Sequence, residues 1–358
     1  MEKRLYDLAA SVRPPDEAAK NEARRLQARL AKPPGSLGRL EELSIRLAGI
    51  TGRVHNEIKA PHLLVFAADN GVAVRGVSSA PQSVTLKQAV NIARGKTGAA
   101  VMAAAFGCAV TVCDVGIAGD VCDAAVMNKK IAYGTRDIVS GPAMTREQAV
   151  CAVLIGAELA SGARADAVGI GEMGIGNTTT ASAVLSVILG ADPEYTASRG
   201  GGLTREAFAV KKAMIRAAID KNRPNKDDVL DVLSKVGGFD IAAMCGAFIG
   251  AAYAHRPAVV DGFISAVAAL CAVRLCPNVS GYLIPSHASA EAGHKLAMEA
   301  LGLKTVFDLN MRLGEGSGCP LMFETLRAAC AVINNMATFE EAGIDDSYLD
   351  EIRREGGF

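Results

Sequence analysis

Two stretches of this 358-residue chain set a carboxylate among glycines, a pattern that suits chemistry on a bound anion. The first is Gly169-Ile170-Gly171-Glu172-Met173-Gly174-Ile175-Gly176-Asn177-Thr178-Thr179-Thr180, where an apolar run passes into a helical one. Glycines let a backbone approach an anion, and the free amides and positive dipole end of a helix N-terminus favour its charge. The segment lacks the GKS or GKT ending of a Walker loop, which disfavours an ATPase. A tight strand-to-helix turn capped by Asn177 or Thr178 is the alternative.

The second stretch, Asn310-Met311-Arg312-Leu313-Gly314-Glu315-Gly316-Ser317-Gly318, leaves Glu315 with little side-chain cover just before a helical segment that begins near Pro320. Such a carboxylate is either a turn residue or a base exposed to a ligand. With Glu172 it makes two loop carboxylates and no nucleophile beside a partner base. Between them, Arg199-Gly200-Gly201-Gly202 needs a reason for three consecutive glycines, and a close backbone approach is one. Lys211 then supplies a point charge, or else is a solvated helix residue.

Ser286-His287-Ala288-Ser289-Ala290-Glu291-Ala292-Gly293-His294 holds two of the five histidines, seven residues apart, which is not a common metal-ligand spacing. Glu291 reads as a capping-box partner of Ala288 or a nearby Ser. Asp69-Asn70-Gly71 and Asp261-Gly262 read as turns at strand ends. The nine cysteines lack any CxxC pair and most sit in apolar surroundings, with only Cys319 near the chemistry, so buried thiols in a reducing cytoplasm are expected in place of disulfides.

Lys plus Arg and Asp plus Glu are 38 each, so no basic field draws nucleic acid or anionic lipid, and a small-molecule partner is expected. Trp is absent and no basic run is interleaved with Phe or Tyr, which argues against stacking on single-stranded nucleic acid. The N-terminus has no apolar core of the signal-peptide kind. Apolar stretches such as Ala99 to Val112 and Ile241 to Ala254 fall short of the ~20 residues a membrane span needs, and are expected as buried helix or strand.

These motifs need elements to hold them. The first sixty residues read as helices, EAAKNEARRLQARLAK and LGRLEELSIRLAGITG, with Ser36 after the Pro33-Pro34-Gly35 break as a cap of the second. From residue 62, short apolar runs alternate with Ala-rich helical stretches: LLVFAADNG, AVTVCDVG, DAVGIGEMGIG, PAVVDG and GYLIPSH as strands. The helical candidates between them are QSVTLKQAVNIARGKTGAAVMAAAFG, NTTTASAVLSVILG and FISAVAALCAVRL. That alternation predicts an α/β fold, a mostly parallel sheet with helices on both faces. Its ligands belong at the carboxyl ends of the strands. LMFETLRAACAVINNMATFEEAGI is expected to be helical and to pack on the N-terminal helices as a smaller subdomain.

Taken together, KPPGSLGRLEEL, VFAADNGVA, PQSVTLKQAVN, GIGEMGIGNTT, VDGFIS, SHASAEAGH and RLGEGSG resemble one family, the nicotinate-nucleotide:dimethylbenzimidazole phosphoribosyltransferases of cobalamin lower-ligand assembly. The resemblance runs from about residue 30 to the C-terminal helices. It implies a Rossmann-like large domain (61–319), a small helical domain from both chain ends (1–60 and 320–358), and a cytoplasmic homodimer without metal or cofactor. It further implies transfer of the ribose phosphate of nicotinate mononucleotide to a benzimidazole-type base, with Glu315 as general base. Glu172 is similar to a second family carboxylate in the nucleotide site. Gly174, Gly176, Asn177, Thr178, Gly200, Lys211 and Ser289 are implied as the phosphate cradle, and Gln88 and Leu313 as contacts to the incoming base.

The chain departs from the family at Asn70, usually His, at Ala80, where some members have Ser, and at Ala288 and Ala292, commonly Arg and Pro. Loss of a hydroxyl at residue 80 predicts a more apolar acceptor rim. Two rival readings stand beside this one: a phosphoribosyltransferase using a pyrophosphate donor, disfavoured because no strand ends in paired acids followed by a Thr-rich loop, and a non-catalytic protein that sequesters azoles or nucleotides.

Overall fold

The structure, a computed structural model, describes residues 1–350. Its centre is a six-stranded sheet: β1 (Pro61–Ala68), β2 (Ala109–Gly116), β3 (Val126–Asn128), β4 (Ala167–Met173), β5 (Ala258–Val260) and β6 (Leu283–Pro285). The strands lie in the order β3-β2-β1-β4-β5-β6, and every adjacent pair is parallel. A parallel sheet is covered on both faces, so its strands are apolar without alternation. Leu63 to Ala68 on β1 and Ala167 to Glu172 on β4 are accordingly all buried. The strand order reverses between β1 and β4, and in open α/β sheets the crevice for a ligand opens at the carboxyl ends beside that reversal.

Five strands follow the apolar runs of the sequence. β3 does not, because it has three residues of which Met127 and Asn128 are exposed, too few for a pattern. The helical stretch 82–107 is two helices, Val84–Ala93 and Gly98–Ala105, broken where Gly95 takes a left-handed conformation (φ 72°) that ends the first. Of the two long apolar stretches, residues 241–253 lie in the helix Phe239–Tyr253, buried from Phe239 to Ala252. It packs on Arg146–Gly162 so closely that a Cβ on Gly156 would lie 1.7 Å from the Ala243 carbonyl oxygen. The other, 99–112, is part helix and part β2.

The chain divides into two compact units, Met1–Arg13 with Ala60–Leu321, and Pro14–Lys59 with the residues from Met322 on. Residues 1–13 therefore belong with the large unit and not with the small one. Leu5, Ala9 and Val12 are buried, and the carbonyls of Ala9, Val12 and Arg13 accept from Cys276 Sγ (3.2 Å), Asn278 Nδ2 (2.9 Å) and the Tyr282 hydroxyl (2.9 Å). In the small unit, Ala19, Ala23, Ala48 and Ile333 form an apolar cluster. Ser36 does not cap the helix Arg39–Thr51, which starts from Gly38 with no side-chain cap. The Glu41 carboxylate instead accepts from Leu37 N (3.0 Å) and pairs with the buried Lys32 ammonium at 2.8 Å. The last long helix is Gly318–Asn335; residues 336–344 do not continue it but form a turn region in which Thr338 bridges to Leu30.

Candidate active site

The loops after β1, β4, β5 and β6 surround a cleft of about 380 Å³ within the large unit. β4 passes into Gly174-Ile175-Gly176 under tight constraint: a Cβ on Gly174 would lie 2.3 Å from the Ala68 carbonyl oxygen and 2.7 Å from Asp240 Oδ2. Gly176, at φ 94°, is the N-cap of the helix Asn177–Leu189, and that helix has no side-chain cap. Neither Asn177 nor Thr178 caps it. Both are helical residues, and their side chains point to other tasks.

Thr178 Oγ1 accepts from Lys211 Nζ at 2.8 Å, and the same ammonium donates to the Ser198 carbonyl at 3.0 Å. Lys211 is fully buried and stands just behind the cleft wall, 3.7 Å from the Cβ position of Gly200. Burial pushes its pKa down to about 8, against the opposing pull of Glu291. It is thus not a solvated lysine but a cation at the start of an uncapped helix, where an anion would gain most. Glu291 makes no capping box: it is the N-cap residue of Ala292–Leu301 without a side-chain cap bond, and its carboxylate accepts from Ser198 Oγ.

Asn177 Nδ2 bridges two carboxylates, donating to Glu172 Oε2 and, at 3.1 Å, to Asp240 Oδ2. Burial pushes Glu172 up to about 8, and the neighbouring charge of Asp240 adds to this. Burial likewise pushes Asp240 up to about 6. Burial therefore favours the protonated form of both acids, more strongly at Glu172. Asp240 was not marked in the sequence, and Asn70 was marked only as part of a turn and as a departure from the family. Asn70 accepts from Thr180 Oγ1 at 2.9 Å and donates to Asp240 Oδ2 at 3.5 Å. The one available signal was a lone Asp opening an otherwise apolar helix, since a buried charge there demands partners.

Glu315 is not short of cover. It is 4% exposed, in a left-handed conformation (φ 62°), and its two oxygens accept from Gln88 Nε2 (2.8 Å) and from the Ala99 amide (3.4 Å). The break between the two helices at residues 94–97 is what delivers both donors. The flanking glycines make room: Gly314 (φ 84°) has its Cβ position 2.6 Å from Glu172 Oε1, and Gly171 of β4 would meet Gly316 at 2.6 Å. The two carboxylate loops therefore abut, and both acids line one cleft.

Of the residues singled out in the sequence, Gln88, Glu172, Gly174, Gly176, Asn177, Thr178, Gly200, Ser289, Leu313 and Glu315 line this cleft, with Lys211 behind it. Asp261 and His287 line it as well, although the sequence marked them only as a turn and as a non-metal histidine. Among the described residues no group of three or more His, Cys, Asp or Glu is placed to hold a metal ion. The nine cysteines are thiols, seven of them buried, whereas Cys151 is half-buried and Cys122 exposed; Cys319 is buried near Asp261 with its pKa raised by that burial.

A family model described as Phosphoribosyltransferase matches residues 12–344. The nicotinate-nucleotide–dimethylbenzimidazole phosphoribosyltransferase of Clostridium perfringens is 48% identical over 329 residues, 91% of each chain. That of Clostridium tetani is 45% identical over 355 residues, 98% of each. The chain belongs to the nicotinate-nucleotide:dimethylbenzimidazole phosphoribosyltransferase family. A crystal structure of CobT from Thermus thermophilus superposes with a TM-score of 0.89 at 39% identity, covering 92% of this chain and 100% of that one.

Within this phosphoribosyltransferase family the four departures fall in different places. Only Ala80 lines the cleft, beside Val84 and Gln88. Asn70 is buried in the Asp240 network, so its effect runs through that carboxylate. Ala288 and Ala292 are not part of the cleft lining.

The raised Glu172 pKa makes a stability prediction. A carboxyl group whose folded pKa exceeds its ordinary 4.5 costs nothing below pH 4.5; the cost grows through the interval and is complete above about 8. Glu172→Gln removes that cost while keeping an oxygen for Asn177. It is expected to stabilise the ligand-free protein by on the order of 2 kcal/mol at pH 9 and by little at pH 5. Thermal unfolding at the two pH values checks this, and a gain independent of pH would mean that Glu172 is not held protonated by the fold.

Proposed function

We propose that this chain transfers the 5-phosphoribosyl group of nicotinate mononucleotide to 5,6-dimethylbenzimidazole or a related base, giving an α-riboside 5′-phosphate and nicotinate for the nucleotide loop of a cobamide. The observation that carries the reading is one cleft with an uncapped helix start and a buried ammonium on one wall and a fixed carboxylate on another. In it the phosphate lies against Gly174, Gly176, Asn177, Thr178 and Gly200, with Lys211 as the cation and Ser289 as a hydroxyl. Gln88 and Leu313 approach the base, and Ala80 and Val84 add an apolar wall suited to a flat ring.

Glu315 takes the N–H proton of the azole, and the ring nitrogen attacks C1 of the ribose from the face opposite nicotinate. The C–N bond to the pyridinium nitrogen breaks and its electron pair stays on that nitrogen, which becomes neutral, so the leaving group needs no acid. Inversion turns the β-nucleotide into an α-riboside. A positioned base supplies roughly 100- to 10,000-fold, and holding two reactants in line adds to it through entropy.

The same reading makes the enzyme a cytoplasmic homodimer that needs neither metal nor cofactor; light scattering at twice the chain mass and turnover in chelator check both. Incubation with nicotinate mononucleotide and dimethylbenzimidazole tests the reaction. Release of nicotinate with a riboside phosphate in the mass spectrum supports it, and saturable binding without release would favour a sequestering protein. A mixture of candidate bases in the same assay identifies the acceptor.

A further inference from the structure

We propose that Asp261, at the end of β5, is a positioning residue for the reaction: its carboxyl group fixes the backbone that holds Glu315 against Gln88 and the Ala99 amide. This rests on the transfer reading above, in which Glu315 takes the azole proton.

The backbone of Glu315 calls for such a device. Gly314 (φ 84°), Glu315 (φ 62°) and Gly316 (φ 78°) are three consecutive residues in the left-handed region. Glycine enters that region freely, whereas a residue with a side chain does so at a cost and stays there only where its surroundings over-determine it. Of the four non-glycine residues with positive φ among the described residues, Arg223, His255 and Asn310 are exposed and Glu315 alone is buried. Its conformation is therefore imposed by packing and not by an open turn.

The bonds from Gln88 and Ala99 hold the tip of the Glu315 side chain, not its backbone. Underneath, the sheet sets a floor: a Cβ on Gly316 would lie 2.5 Å from Leu63 Cδ1, and one on Gly171 would lie 2.6 Å from Gly316. Contact of that kind keeps the loop off β1 and β4 without setting its rotation. A hydrogen bond is directional and does set it. The Gly318 amide donates to Asp261 Oδ1 at 2.7 Å, and Ser317 N closes the turn onto the Gly314 carbonyl at 3.0 Å. A Cβ at residue 318 would lie 2.9 Å from the same Asp261 oxygen, so the glycine there permits the close approach. Gly318 also opens the helix Gly318–Asn335, whose first amide Asp261 thereby satisfies.

Asp261 is itself held fast. It is 3% exposed; its amide donates to Ser265 Oγ (3.2 Å), whose hydroxyl donates to the Ile170 carbonyl of β4 (2.9 Å), and its carbonyl accepts from Ser286 Oγ (3.1 Å) just after β6. The carboxyl ends of β4, β5 and β6 are tied together in this way, and Asp261 passes their rigidity to the Glu315 loop. Burial pushes its pKa up, against the pull of His287 and of the Gly318, Gly262 and Gly316 amides. Holding an amide needs an oxygen at that place and not a negative charge, so asparagine should serve there. Alanine should not, because it leaves a buried N–H without an acceptor.

Steady-state kinetics with nicotinate mononucleotide and dimethylbenzimidazole in wild type, Asp261→Ala, Asp261→Asn, Glu315→Gln and the double variant D261A/E315Q test this. Asp261→Ala is expected to lower kcat by roughly 10- to 100-fold, as a shift of about 1 Å in a reacting group does, with KM for nicotinate mononucleotide within about threefold. Asp261→Asn should keep kcat within about threefold of wild type, since its oxygen still accepts from Gly318. In the Glu315→Gln background Asp261→Ala should cost less than about threefold more, because a residue that acts through Glu315 has nothing left to position. A melting curve is the folding control; if Asp261→Ala does not fold, Asp261→Ser, whose side chain is one carbon shorter than the native one, takes its place in the same cycle. An unchanged kcat in the alanine variant, a loss carried by KM, an equal loss in Asp261→Asn, or the full loss repeated on top of Glu315→Gln overturns the assignment. If wild type makes riboside phosphate and Asp261→Ala makes it as fast, the positioning role alone falls; if wild type makes none, the transfer reading falls.

Discussion

Glu315→Gln is expected to reduce turnover by roughly 100- to 10,000-fold, the range for loss of a positioned general base, while KM for nicotinate mononucleotide changes by less than about threefold. The side chain is held from both sides, by Gln88 Nε2 and the Ala99 amide, so the isosteric amide keeps the shape of the cleft. The proposed phosphate wall is built from other loops, which is why binding should survive. Two other acids press against this loop: burial pushes Glu172 up to about 8, and it raises Asp261, which accepts from the Gly318 amide at 2.7 Å, so burial disfavours the ionised form of both. Steady-state kinetics with a melting curve as the folding control decides the matter: a loss under about tenfold would remove Glu315 from the base role.

Lys211→Ala should act on the other term. Removing a buried cation that meets a phosphate is expected to raise KM for nicotinate mononucleotide by roughly 10- to 100-fold, with kcat within about threefold, since charged hydrogen bonds are worth about 1.5–3 kcal/mol. The pH dependence follows from the same burial. Burial pushes the ammonium down to about 8 from its ordinary 10.5, so affinity in the wild type should fall as pH rises above about 8, and the variant should lack that limb. For stability the sign is reversed: the lowered folded pKa means that burying the ammonium has its full cost below pH 8 and that the cost is relieved between 8 and 10.5. Titration calorimetry from pH 6.5 to 9.5 measures both variants, and a flat wild-type profile would contradict the assignment.

The apolar runs of β1, β2, β4, β5 and β6 were legible because a strand buried on both faces has to be continuous in Val, Ile, Leu and Ala, whatever its neighbours. The glycine-rich turn at Gly174 and Gly176 was legible for a similar reason: only glycine tolerates a backbone passing so near Ala68 and Asn70. Local constraints of this kind leave their mark on the residues themselves. They did not mark β3, too short for a pattern, nor the allegiance of residues 1–13, whose amphipathic pattern does not name the surface it covers.

What tertiary structure decided was the state of each polar group. In the chain Glu315 is a carboxylate between glycines, and Lys211 is one lysine on a helix; nothing near either in sequence says that Gln88 and Ala99, or Thr178 and Ser198, will close over them. Asp240, Asn70 and Asn177 come from three separate segments and become one network only when β1 and β4 lie side by side. Burial, and the proton affinities that burial sets, depend on atoms distant along the chain, so residue types and spacing reach as far as the fold and the identity of the loops. Which acid keeps its proton at neutral pH is settled by packing.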